Sequence, residues 1–305
     1  EQLCSVVNNC DLSSNAAIAN LSALIQGLSD QMEAMNGKMD SLNHLVDSLS
    51  NQLPTPVYPS FTCGHYTVKD HEGNMYNTVK IGNQCWTKEN MRCITSPSTG
   101  STILEYPASS YSFTGKKAYY LNGNASNMTE YGLLYNWYAA VDTFNTTYEE
   151  TSTNTDFEQA LSVTFTGNRR GICPKGWHVP SKEEWTQLRN YMVSHRQYWC
   201  QDDSTYIAKA LASSTGWCTE PNDCGVGNSQ NNNNASGFTA LPTGFYTNGY
   251  FNFGYSAHFW SASQSYGYFS ALLFQIDYHH PDVNYQDSGK DEGASVRCLR
   301  DAGIS

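Results

Sequence analysis

The sequence predicts an α+β fold in which one long N-terminal helix precedes a mixed globular domain. Three observations carry this. Apolar residues recur at steps of three and four from residue 16 to 53. A proline-rich break follows. The rest of the chain mixes short alternating runs with one strongly capped helix.

Residues 1–15 form an N-terminal segment with Cys4 and Cys10. The sequence leaves open whether these close a small loop or staple neighbouring chains. Residues 16–53 then place Ile18, Leu21, Ile25, Leu28, Met32, Met35, Met39, Leu42, Val46, Leu49 and Leu53 on one seam. That is the a/d pattern of a coiled coil, and Leu24 and Leu45 widen it at g. Few charges flank the seam, so the sequence does not encode strong pairing with a different chain. A parallel homotrimer is expected, with a dimer as the alternative, and the rod would be about 55 Å long. Gly27 and Gly37 lie off the seam and lower helix propensity.

Residues 54–60, with Pro54, Pro56 and Pro59, read as a semi-rigid linker. Residues 61–301 read as one domain. Its first predicted element is a hairpin of 67–70 and 76–81, joined by His71-Glu72-Gly73-Asn74. Residues 131–141 read as a buried helix. Ser181-Lys182-Glu183-Glu184 is a capping box, and Trp185, Leu188 and Met192 follow at helical spacing, so 181–194 is a helix. Residues 204–213 read as a second short helix and 225–236 as a polar loop. Beyond Gly237, short apolar runs between glycine turns predict strands.

Composition narrows the function classes. The formal net charge of −11 repels phosphate backbones and anionic lipid heads, so nucleic acid is not an expected partner. No apolar run is long enough to span a membrane. The chain begins with Glu and shows no signal peptide, as a processed or trimmed chain would. Ten cysteines, none spaced as a zinc module, favour disulfides and an oxidising compartment: extracellular, cell surface or virion. Four pairs are predicted in the domain. Cys173–Cys298 would tie the helical half to the last strand. Cys218–Cys224 would close a short turn containing Pro and Asn, and Cys63–Cys85 would clip the hairpin. Cys93–Cys200 follows by elimination.

The segment from Gly237 to Arg300 has the texture of a binding surface. It is rich in Tyr, His and Asn, and no Lys or Arg occurs from Ala210 to Gly289. Tyrosine supplies large amphipathic contact area at low rotamer cost, and Ser, Gly and Asn supply adaptable hydrogen bonds.

Several motifs coincide in order along the domain. The first block is Val68-Lys69-Asp70-His71-Glu72-Gly73-Asn74-Met75-Tyr76 with Val79-Lys80-Ile81-Gly82-Asn83-Gln84-Cys85-Trp86 and Glu89-Asn90-Met91. Tyr131-Gly132-Leu133-Leu134-Tyr135-Asn136-Trp137 and Cys173-Pro174-Lys175-Gly176-Trp177-His178-Val179-Pro180-Ser181 follow. Phe259-Trp260-Ser261-Ala262-Ser263 and Ser295-Val296-Arg297-Cys298 complete the series. Together they resemble the Fibrobacter succinogenes major paralogous domain over residues 61–301. The resemblance implies a C-type-lectin-like fold, shared with variable proteins of diversity-generating retroelements. In those proteins, adenine-directed mutagenesis of Asn codons diversifies the C-terminal segment on a fixed frame. Frame residues here would be Gly237, Phe238, Leu241, Phe259, Trp260, Ser261, Ser295, Val296, Arg297 and Cys298. Ligand-binding, variable-type positions would be Tyr255, His258, Tyr266, Tyr268, Tyr278, His279, His280, Asp282, Asn284, Tyr285 and Asp287. Leu272-Leu273-Phe274 and Pro281 do not fit products of Asn-codon mutagenesis.

Other chemistry is weaker. Glu220-Pro221-Asn222 matches a calcium- and sugar-binding tripeptide of mannose-type lectins, but the companion Trp-Asn-Asp motif is missing. His178 precedes Glu183 and Glu184, yet its place in a frame motif favours a buried structural hydrogen bond. His279 and His280, if adjacent on a strand, would point to opposite faces and leave one exposed. No Gly-x-Ser-x-Gly, Walker A or His-Glu-x-x-His motif occurs. No catalytic residue, metal or cofactor is expected. The expected function is a ligand-binding adhesin for a protein or glycan on another cell surface. The alternative is a pilus or fibre subunit whose aromatic face packs on its neighbours.

Overall fold

The computed structural model describes residues 2–52, 61–104, 115–143, 168–265 and 269–303. The chain divides into two compact units, Glu1–Ser60 and Phe61–Ser305.

No proline interrupts the N-terminal region, and it forms one helix, α1 (Gln2–Gln52). The helix therefore also takes in the segment before residue 16. The side chains of Cys4 and Cys10 lie outside the described residues. The seam residues Leu21, Leu28, Met35 and Leu42 are 58–65% exposed. No described helix is long and apolar enough to cross a membrane.

The second unit is α+β, built from small antiparallel sheets. Val68–Lys69 (β1) and Met75–Tyr76 (β2) form the expected hairpin. The Asp70 carboxylate closes its turn, accepting from the Glu72 and Asn74 amides at 2.9 Å. Thr78–Ile81 (β3) departs from that hairpin and pairs with Gln84–Thr87 (β4). Ala118–Tyr120 (β5) pairs with Leu133–Tyr135 (β6).

The 131–141 region differs from the single helix expected. It is a turn of helix, α2 (Met128–Tyr131), then strand β6, then a second turn, α3 (Trp137–Ala140). Gly132 breaks the run at φ +75, where a Cβ would sit 2.6 Å from that of Asn90. Asn136 restarts it by capping the Ala139 amide. The apolar run that reads as a helix is there because β6 and α3 are buried, most of their residues in one core, whereas α2 has no buried residue.

Trp177–His178 (β7) leads to α4 (Lys182–Val193). The capping box forms as the sequence predicts: Ser181 accepts from the Glu184 amide, and the Glu184 carboxylate accepts from Ser181 N. Only Ala208–Leu211 (α5) of the second expected helix is α-helical. Phe245–Tyr246 (β8) and Tyr250–Phe251 (β9) form a small hairpin. Ser256–Gln264 (β10), Ser270–Asp277 (β11) and Val283–Gly289 (β12) form a three-stranded sheet in that order. Leu299–Arg300 (β13) enters the other sheet, whose order is β3-β4-β13-β7.

The three-stranded sheet lies between two cores. Trp260, Ala271 and Leu273 pack with Trp137 and Trp177. Phe259, Phe274 and Ile276 pack with Trp86, Trp185 and Phe238. Trp185 stacks on Phe274 at 4.5 Å. Because both faces are covered, alternate residues of β10 and β11 are apolar in opposite directions. Arg297 is fully buried beside the second core. Its guanidinium donates to the Asn90 side-chain oxygen and to the carbonyls of Thr87, Phe238 and Thr239.

Cys63–Cys85 and Cys173–Cys298 are disulfides, as predicted. The other two predicted pairs are not. Cys200 joins Cys224, with Cα atoms 5.8 Å apart, so Cys218–Cys224 and Cys93–Cys200 are both replaced. Cys93 is a buried thiol that donates to Asp70 at 3.0 Å, and Cys218 is a half-buried thiol. Proximity in the fold decides the pairing: Cys200 lies just beyond α4, against the loop that carries Cys224.

Candidate ligand-binding site

The strand pairing brings part of the predicted site together. β10 and β11 run antiparallel with Ser256 opposite Asp277. The residues just outside that rung, Tyr255 and Tyr278, therefore meet at one end of the sheet. Tyr278 N donates to the Tyr255 carbonyl at 2.8 Å. Their rings stand perpendicular at 5.0 Å, a favourable edge-to-face arrangement. His279 lies 5.9 Å from the Tyr278 ring, and His280 lies 5.3 Å from His279. β11 has ended by this point, so the strand alternation expected to hide one histidine does not apply. Both are exposed.

A loop from the middle of the chain props this cluster. Glu220 Oε2 accepts from His279 Nδ1 at 2.8 Å, and Oε1 accepts from the Asn222 amide. The Gly227 amide donates to the Tyr278 carbonyl, and the Cys218 amide to the Gly254 carbonyl. Cys200–Cys224 ties the same loop to the chain beyond α4. The hydrogen bond with Glu220 raises the pKa of His279, and its counterpart lowers that of Glu220. Each partner thus favours the charged form of the other. The Cys218 thiol beside Tyr255 pushes its phenol pKa up. Glu220-Pro221-Asn222 thus works as an anchor for His279. Among the described residues, no group of three His, Cys, Asp or Glu is arranged to hold a metal ion.

The other predicted positions fall elsewhere. His258, expected on the exposed face, is only 2% exposed. Phe245 of the β8–β9 hairpin covers it, its ring centroid 5.1 Å away. Its Nε2 contacts Ser256 Oγ at 2.8 Å, and burial lowers its pKa to about 4. Tyr285 is half-buried: its ring packs on Phe274, and its hydroxyl lies 3.0 Å from Thr186 Oγ1 on α4. Asp287 accepts a hydrogen bond from Ser265. Val283 to Asp287 covers about 13 Å of strand, so Asp287 lies toward the opposite end of the sheet from Tyr278. Asn284 is exposed at the second position of β12, and Asp282 is half-exposed before the strand. Tyr266 and Tyr268 lie outside the described residues.

Two contributors were not predicted. Phe251 and Phe253, just before Tyr255 in the chain, are 48% and 40% exposed; Phe251 stacks on Phe245 and Phe253 meets Tyr131 edge-on. The signal was present as Tyr250-Phe251-Asn252-Phe253. Phenylalanine lies outside the Tyr, His, Asn and Asp types that the resemblance implies.

The Fibrobacter succinogenes major domain family model matches residues 79–300. The chain belongs to this family. The matched span runs from β3 to β13, so the Fibrobacter succinogenes major domain here includes both cores, the capped helix and the whole C-terminal sheet. No curated protein and no solved structure matches the chain.

His178 is buried, with Nε2 2.8 Å from Glu184 and Nδ1 2.5 Å from Asp301. Burial opposes its charge, but the hydrogen bonds and charges of Glu184 and Asp301 outweigh that and raise its pKa. Both ring nitrogens are engaged with carboxylates, which makes it a clamp between β7, α4 and the segment after β13.

Proposed function

We propose that this protein is an extracellular ligand-binding adhesin that presents the end of a lectin-like sheet to its target. The observation that carries this reading is the cluster of Tyr255, Tyr278, His279 and His280, propped by buried Glu220, with Phe251 and Phe253 exposed just before Tyr255 in the chain. Exposed aromatics on a disulfide-tied frame offer contact area without the entropy cost of ordering long flexible side chains. Three disulfides are consistent with an oxidising, extracytoplasmic setting. The exposed seam of α1 supports a parallel coiled coil, with three chains favoured. Three linked heads would raise avidity by about 10² to 10⁴ where geometry allows. Retroelement diversification of the tail belongs to the same reading: Tyr255, Tyr278, His279 and His280 would vary between alleles while Trp260 and Arg297 would not.

The test is binding of the labelled full chain to arrays of surface proteins and glycans and to whole cells. Wild type is compared with Tyr255→Ala/Tyr278→Ala/His279→Ala. Loss of a wild-type ligand with unchanged melting supports the site. Equal binding by both chains would reject it. Lateral polymerisation that the triple variant abolishes would instead favour a fibre subunit.

A further inference from the structure

A groove of about 460 Å³ lies on the side of α4 and shares no lining residue with the Tyr255 cluster. That volume is within the range of small-molecule sites. Its floor includes Ile81, and its walls are the β3–β4 turn and the exposed face of α4. Asn83, Gln187 and Asn190 bring three primary amides to it, with the Tyr191 ring alongside.

The walls are fixed by the fold. Gln84 Nε2 donates to the Glu184 carbonyl at 2.8 Å, locking the turn onto the helix. Gly82, at φ +60, lets the Tyr191 ring lie against the turn, since a Cβ there would come within 2.8 Å of the ring. The ring is backed by His195, 4.0 Å away. The polar groups above it are unspent. Among the described residues, the side chains of Asn83 and Asn190 make no hydrogen bond, and Gln187 makes only a 3.5 Å contact with Gln84. Each primary amide offers two donors and an acceptor.

We propose that this groove binds a neutral saccharide. Adjacent sugar hydroxyls are donor–acceptor pairs that match primary amide groups. The charge pattern points the same way. The groove's one charged wall residue is Glu183, which opposes an anionic ligand. A neutral polyol meets amides and hydroxyls without any need for a cation. The site is separate from the aromatic cluster, and either can fail without the other.

The test is saturation-transfer NMR and calorimetry on the full chain with cellobiose, maltose, lactose and chitobiose as probes. At least one should bind with a dissociation constant of about 1 mM or tighter. Gln187→Ala/Asn190→Ala, at two exposed helix positions, should weaken it about tenfold or more with melting unchanged. The near-isosteric Gln187→Glu/Asn190→Asp should do the same, because it removes the amide donors. Weak dependence on salt is expected. Absence of binding by all four probes would overturn the proposal. So would equal binding by the double variants, or loss on Tyr255→Ala/Tyr278→Ala alone.

Discussion

Arg297 holds Phe238 in two ways. Its guanidinium lies 4.8 Å from the Phe238 ring centroid and donates to the Phe238 carbonyl at 2.7 Å. Burial pushes its pKa down to about 9, which still leaves it charged at neutral pH. No carboxylate pairs with it among the described residues. Its charge is spread instead over three carbonyls and one amide oxygen. A lysine cannot span those acceptors. Arg297→Lys should cost about 3 kcal/mol or more, from acceptors left unpaired in the core. Calorimetry should show melting fall by about 6–12 °C. An unchanged melting point would contradict this.

The His178 clamp gives a signed pH dependence. Its folded pKa lies above its ordinary 6.5, so its contribution is complete below that value and fades as pH rises through the folded pKa. Glu184 is shifted the other way. Burial works against it, but the hydrogen bonds from His178 and Ser181 lower its pKa below 4.5. Its contribution is lost as pH falls through that lowered value. Melting measured from acid to alkaline pH should therefore decline on the alkaline side in wild type. The decline should be shallower in His178→Gln. Parallel curves would show that the clamp does not titrate.

Cysteine reactivity should separate the thiols of the second unit. Under native, non-reducing conditions iodoacetamide should label half-buried Cys218. Cys93 should react only after unfolding, because burial and the Asp70 carboxylate push its thiol pKa up. Peptide mapping should recover Cys200 linked to Cys224. Removing Cys173–Cys298 should cost on the order of 4–5 kcal/mol by loop entropy.

Binding and stability should come apart within the tail. Trp260 is fully buried and its indole donates to the Tyr135 carbonyl at 2.6 Å, so Trp260→Ala should cost about 3–5 kcal/mol. Tyr255→Ala, at an exposed ring, should leave melting within about 1 °C while lowering ligand binding. An equal loss of melting temperature in both would make Tyr255 part of the frame.

On α1, Leu28→Asp at the centre of the exposed seam should shift sedimentation toward the single chain. The melting of the second unit should not change. Wild type that already sediments as a monomer would remove the basis for multivalent display.

Local signals were legible in the sequence. The Ser181 capping box, the hairpin closed by Asp70 and the clip from Cys63 to Cys85 each depend on residues near one another in the chain. What escaped depends on tertiary position. Gly132 ends a run that looks helical because β6 must pair with β5. Cys200 finds Cys224 because a distant loop arrives beside it. His258 is buried because a hairpin ten residues earlier folds over it. Tyr285 alternates to the face that meets α4, and no pattern within β12 reveals that Thr186 waits there.

The place of β13 sets an order on assembly. Leu299 pairs with both Trp86 and His178, so the strand fills the gap between β4 and β7. Until those residues have left the ribosome or the export channel, two earlier strands have no shared neighbour. Such long-range pairing slows folding. A chain threaded across a membrane from its N-terminus would thus stay loose through most of its passage, and would lock only once Leu299 had followed.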